Sequence, residues 1–149
     1  MMRFMFAVAS VALITSACQS SAVSGLRSTN PAPLQAASLQ GQAVTRISVQ
    51  EAHDWLADPN AQWLLLDLRT PEEFATGHLA NATLMNFYDA DFRDRLLTMN
   101  RHQPTLIYCR SGNRSGQALA TMRELGFRNV YDIGGGIMAW QNAGYAIER

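Results

Sequence analysis

Lysine does not occur in this 149-residue chain: all twelve basic side chains are arginines. Its absence excludes Schiff-base chemistry and any lysine acting as general base. Charge of one sign is not in excess either, because twelve acidic residues balance the twelve arginines. Without a positive surplus there is no long-range field to gather a polynucleotide, and no nucleic-acid partner is expected. Histidine occurs only three times. His53, His78 and His102 show neither i,i+4 pairing nor a companion cysteine at ligand spacing, so no metal site and no cofactor are expected. The glycine triplet Gly134-Gly135-Gly136 matches neither a dinucleotide fingerprint nor a P-loop, and reads as a tight turn. Catalysis is left to Cys, His, Asp, Glu, Ser and Tyr.

Long hydrophobic runs are also missing, apart from one short stretch at the start. Arg3 supplies a positive n-region, Phe4 to Ile14 is mostly apolar and uncharged, and the small residues Thr15-Ser16-Ala17 precede Cys18. This is the order of an export signal, and it falls short of the roughly 20 apolar residues that a spanning helix needs. Ile14 to Cys18 resembles a bacterial lipobox, with Thr15 departing from the usual leucine. On this reading residues 1–18 are a signal peptide and Cys18 is lipidated. The protein is then exported to the periplasm as a membrane-anchored lipoprotein; the alternatives are plain cleavage near Ala17 and an uncleaved anchor. Acylated Cys18 cannot oxidise, so no disulfide is expected although the chain has two cysteines. Residues 19–42, rich in Ser, Ala, Gln, Gly and Pro, read as a flexible tether.

From residue 43 to 149 short apolar runs alternate with helical patterns, which predicts one α/β domain with a largely parallel sheet. A strand is expected at Val44 to Ile47. Ser48 to Glu51 then forms a capping box that opens a helix running to about Ala57. Trp63 to Leu68 is apolar up to Asp67, as suits a strand covered on both faces. Thr70-Pro71-Glu72-Glu73 makes a second capping box for a short helix that Gly77 ends. Thr83 to Phe87 is expected as a strand and Asp91 to Met99 as a helix. Pro104 to Tyr108 reads as a strand, Cys109 to Arg114 as a loop, Ser115 to Leu125 as a helix stopped by Gly126, and Asn129 to Ile133 as a returning strand. This βαβ unit puts the loop at the carboxyl end of a parallel strand, where ligand sites of open α/β sheets lie.

The loop Cys109-Arg110-Ser111-Gly112-Asn113-Arg114-Ser115 has a chemical logic of its own. A thiol just ahead of a helix N-terminus sits near unsatisfied amides and the positive end of the helix dipole, which favours the thiolate. Gly112 permits a positive φ that turns successive amides inward as an anion nest, and Arg110 and Arg114 add positive charge. Such an electropositive cradle suits a soft nucleophile that attacks sulfur and stores it as a persulfide. The bland alternatives are a buried structural cysteine and an acid-paired Arg114.

These loop residues, followed by Gly116, resemble the active-site loop of the rhodanese family. Asp67-Leu68-Arg69, Glu73-Phe74 and Gly77-His78-Leu79 upstream, and Gly134 to Gly136, Trp140 and Gly144-Tyr145 downstream, are similar to its other motifs in the same order. Within the family, the short exported form resembles the periplasmic phage-shock rhodaneses. The resemblance implies a three-layer fold, with a five-stranded parallel sheet between helices. It also implies a sulfurtransferase that moves sulfane sulfur from a small donor such as thiosulfate to a thiol or cyanide acceptor through Cys109. The amides of residues 110 to 115 would hold the persulfide, while Asp67, Arg69, Glu73 and His78 support the framework. Two other functions compete. One is a low-turnover sulfur carrier or protein-interaction module at the membrane. The other is a cysteine-dependent phosphatase or arsenate reductase, whose loop is one residue longer.

Overall fold

The computed structural model describes residues 43–149. The signal peptide expected at 1–18, the lipidation site Cys18 and the tether at 19–42 lie outside the described residues.

Five strands form one sheet in the order β1-β5-β4-β2-β3, and every ladder is parallel. They are β1 (Val44–Ile47), β2 (Leu64–Asp67), β3 (Thr83–Leu84), β4 (Thr105–Tyr108) and β5 (Val130–Ile133). The helices are α1 (Val49–Leu56), α2 (Pro71–Ala75), α3 (Phe92–Thr98), α4 (Asn113–Glu124) and α5 (Gly136–Asn142). Every residue of β4 and β5 is buried, because helices cover both faces of the central sheet. The alternation of side chains along each strand divides the core in two. Leu66, Leu68, Ile107 and Cys109 point to one face, where they meet Phe92 and Leu96 of α3 and Ala118, Leu119 and Met122 of α4. Leu65, Leu106, Tyr108 and Tyr131 point to the other, against Ala52 of α1 and Ile137 and Trp140 of α5. The result is the three-layer architecture expected from the sequence.

Both capping boxes form. Ser48 and Glu51 exchange bonds at the start of α1, and Thr70 and Glu73 do so at the start of α2, with Pro71 at the first helical position. Most boundaries fall within a residue of expectation, and three readings differ by more. β3 stops at Leu84 instead of Phe87, because Leu84 pairs with Asp67, the last residue of β2; the Met85 and Phe87 amides still donate to the carbonyls of Asp67 and Leu68. Helix α4 starts at Asn113, two residues before Ser115, because Gly112 takes a left-handed φ of 89° and caps the helix. The glycine triplet is not an isolated turn: Gly135, at φ 75°, caps α5 and Gly136 opens it. Three glycines weaken any helical pattern, which hid this helix in the sequence.

Candidate active site

Strand β4 ends at Tyr108, so Cys109 emerges at the carboxyl edge of the sheet, between β2 and β5. The loop closes tightly over it. Gly112 donates its amide to Cys109 Sγ at 3.2 Å, and the Ser115 hydroxyl lies 3.5 Å from the same sulfur. The first intrahelical bond of α4 runs from the Gly116 amide to the Gly112 carbonyl. The amides of Asn113, Arg114 and Ser115 therefore have no partner within the helix; that of Ser115 is turned to the Cys109 sulfur, and those of Asn113 and Arg114 are open to an anion. Burial drives the thiol pKa up. The Ser115 hydroxyl and the backbone of Ser115, Ser111 and Gly112 outweigh it, and the net direction is down.

Helix α5 grips the loop from the other side. The Ile137 amide donates to the Cys109 carbonyl at 2.9 Å and the Met138 amide to the Arg110 carbonyl at 3.1 Å. Gly136 makes this approach feasible, since a Cβ there would lie 2.2 Å from the Cys109 carbonyl oxygen.

The remaining residues expected at the site sit in distinct positions. The side chains of Arg110, Ser111 and Asn113 are exposed at the rim, while Gly112 and Ser115 are buried. Arg114 does not stand free at the mouth. Its guanidinium makes a two-pronged pair with Glu73, at 2.7 and 2.8 Å, and its carbon lies 5.5 Å from the centre of the exposed Tyr88 ring. The acid-paired geometry weighed for this arginine is thus present, and the hydrogen bonds from Arg114 bring the Glu73 carboxyl down to about 2 against the opposing effect of burial.

Below α2, Arg69 pairs with Asp67 at 2.6 Å and donates to the carbonyls of Glu73 and Gly77. Asp67 also accepts the Arg69 amide. Asp67 and Arg69 thereby hold the turn that presents Glu73 to Arg114. His78 stacks on Phe74, with ring centres 3.8 Å apart, and its backbone pairs with Glu148. Its partners belong to the framework and not to the loop.

A cleft of about 470 Å³ opens beside the loop, with Arg110, Glu72, Met138 and Gln141 in its wall. A second cleft, of about 400 Å³ under His53, Trp63 and Trp140, contains no loop residue and is remote from this chemistry.

Two residues at the site were not read from the sequence. Arg46 of β1 donates to the Gly112 carbonyl at 2.8 Å and pairs with Asp132 of β5. The available signal was an aspartate inside a fully apolar, doubly covered strand, which requires a cationic or hydrogen-bonding neighbour.

A family model for the rhodanese-like domain matches residues 48–143. A sulfurtransferase of Allochromatium vinosum is 35% identical over 104 residues, which span 70% of this chain and 94% of that protein. The thiosulfate sulfurtransferase GlpE of Pseudomonas entomophila is 39% identical over 80 residues, 53% of this chain and 71% of its own length. The probable adenylyltransferase/sulfurtransferase MoeZ of Mycobacterium tuberculosis is 32% identical over 94 residues, but that match spans only 24% of the relative. Among solved structures, a rhodanese-related protein from Thermoplasma volcanium is similar with a TM-score of 0.61 at 26% identity, over 70% of this chain and 97% of that one.

Proposed function

This chain belongs to the rhodanese family, and we propose that it transfers sulfane sulfur from thiosulfate to a thiol or cyanide acceptor through a persulfide on Cys109. The Cys109 thiolate attacks the outer sulfur of thiosulfate. The donor's S–S bond breaks, sulfite leaves with the bonding pair, and a persulfide with an anionic terminal sulfur remains. The acceptor then attacks that terminal sulfur and the Cys109 thiolate departs, regenerating the enzyme. Cyanide becomes thiocyanate, and a thiol becomes a persulfide. No metal or redox cofactor is needed to balance either step.

The observation that carries this reading is the Gly112 amide aimed at Cys109 Sγ from 3.2 Å, at the carboxyl end of β4 and the start of α4. Oriented amides stabilise negative charge on sulfur in the thiolate and persulfide alike. Thiosulfate as donor has its support in the likeness to GlpE, described as a thiosulfate sulfurtransferase. Intact-mass spectrometry of the reduced chain tests the proposal. The expected result is a gain of one sulfur atom on exposure to thiosulfate, its loss to cyanide, and no gain in Cys109→Ser. A correctly folded wild-type chain that never takes up the sulfur refutes it.

The domain works outside the cytoplasm in this proposal, joined through residues 19–42 to a lipid on Cys18. Support comes from the residue order of the first eighteen positions, with Arg3, the apolar stretch to Ile14 and the lipobox-like end.

A further inference from the structure

Two charged residues that the transfer steps do not use meet directly against the cysteine loop. Arg46 and Asp132 are register partners across the parallel β1–β5 ladder. Arg46 reaches Asp132 Oδ2 with Nε at 2.8 Å and with Nη2 at 2.6 Å. Nη2 also donates to the Gly112 carbonyl at 2.8 Å. The aspartate side chain is 0% exposed, whereas the arginine, at 53%, enters from the surface. A buried carboxylate holding a half-exposed guanidinium fixes the direction in which that guanidinium points.

A glycine makes room for it. A Cβ at Gly116 would lie 2.6 Å from Arg46 Nη2. Gly116 carries no positive φ, so its backbone does not require glycine. Within a helix, glycine is also less favourable than alanine. The space taken by Arg46 accounts for it.

Gly112 is the point where this pair meets the sulfur. Its amide donates to Cys109 Sγ, and its carbonyl accepts from Arg46. At φ 89°, glycine is the residue with the greatest freedom to rotate, and rotation there would swing the amide off the sulfur. We propose that Arg46, aimed by Asp132, is a positioning residue for sulfur transfer: it clamps the Gly112 carbonyl and thereby keeps the neighbouring amide on Cys109 Sγ. Arg46 donates to the Gly112 carbonyl and not to Cys109 Sγ, and it acts through the loop. This inference rests on the reading of Cys109 as the nucleophile.

Three variants test it: Arg46→Gln, Arg46→Lys and Asp132→Asn, each in the full chain. Two quantities are measured on folded protein. One is the pH dependence of Cys109 alkylation by iodoacetamide, read on the Cys109 peptide by mass spectrometry. The other is thiosulfate:cyanide turnover, resolved into kcat and KM. In Arg46→Gln the alkylation midpoint moves to higher pH and kcat falls about tenfold, the loss expected for one charge-assisted bond, with little change in KM. Arg46→Lys, which keeps a cationic donor, recovers part of both. Asp132→Asn also alters the Ser115 hydroxyl, which lies between it and Cys109 Sγ, so it reports on the pair and not on Arg46 alone; Arg46→Lys, compared with wild type, decides the matter if Arg46→Gln does not fold. Folded variants that melt earlier but keep the wild-type midpoint and kcat overturn the proposal. The alkylation readout does not require sulfur transfer, so a wild-type chain that fails to take sulfur from thiosulfate sinks the functional reading while still leaving Arg46 testable.

Discussion

Cys109 is nearly sealed from solvent, at 1% exposure, yet its thiol ionises more readily than burial alone would allow. Hydrogen bonds decide the balance, so removing one is expected to raise the alkylation midpoint; Ser115→Ala provides the check, with a midpoint that stays in place counting against the cradle. Ionisation is linked to stability in a definite direction. A cysteine whose folded pKa lies below its unfolded value contributes stability above the unfolded pKa and loses it as pH falls through the folded one. Comparing wild type with Cys109→Ser across the thiol range therefore isolates a contribution that appears only on the alkaline side. Glu73 follows the same rule in a lower window. Its pKa falls from 4.5 to about 2, first through the hydrogen bond from Arg114. The stability it contributes is complete above about pH 4.5 and is lost as pH falls toward about 2. Glu73→Gln should lower stability near neutral pH by about 1 kcal/mol, the pair being partly exposed, and flatten the acid limb of a urea-midpoint profile.

At the scale of elements, the strength of each local signal determined how much could be read from sequence. Capping boxes at Ser48 and Thr70 announced α1 and α2 because side chain and backbone satisfy each other within four residues. The apolar run from Trp63 announced β2 as a strand covered on both faces, and the loop between β4 and β5 was legible because a cysteine, a glycine and a helix start fall in sequence order. What escaped was the set of contacts made between elements distant in sequence. Arg46 and Asp132 are 86 positions apart, and only the strand order brings them together. Helix α5 escaped because its glycines serve a neighbour: Gly136 is needed for the approach to Cys109 and not for helix formation. Gly136→Ala should therefore cost about 2 kcal/mol or more by forcing α5 off the loop, and should reduce turnover well beyond the loss of folded protein. Circular dichroism melts together with kcat normalised to the folded fraction would show both effects; an alanine variant with native stability would mean that α5 does not press on the loop.

For the whole molecule, the proposed lipid anchor rests on the first eighteen residues and the proposed chemistry on the domain from residue 43 onward. Cys18→Ala is expected to abolish membrane retention and labelling by a fatty-acid analogue while leaving thiosulfate:cyanide turnover intact. Detergent fractionation of cells making wild type and variant checks this, and an unlabelled, freely soluble wild-type protein refutes the lipid anchor. The sheet order adds a constraint in time. Because β1 pairs with β5, the first strand to leave a ribosome or a translocation pore has no neighbour until the last strand follows it. Contacts of such sequence separation form late, since a long loop must close before they give any return. A chain emerging from its N-terminus thus cannot complete its sheet until almost the whole domain is available, and under the proposed export the topology itself would delay folding until the domain had crossed.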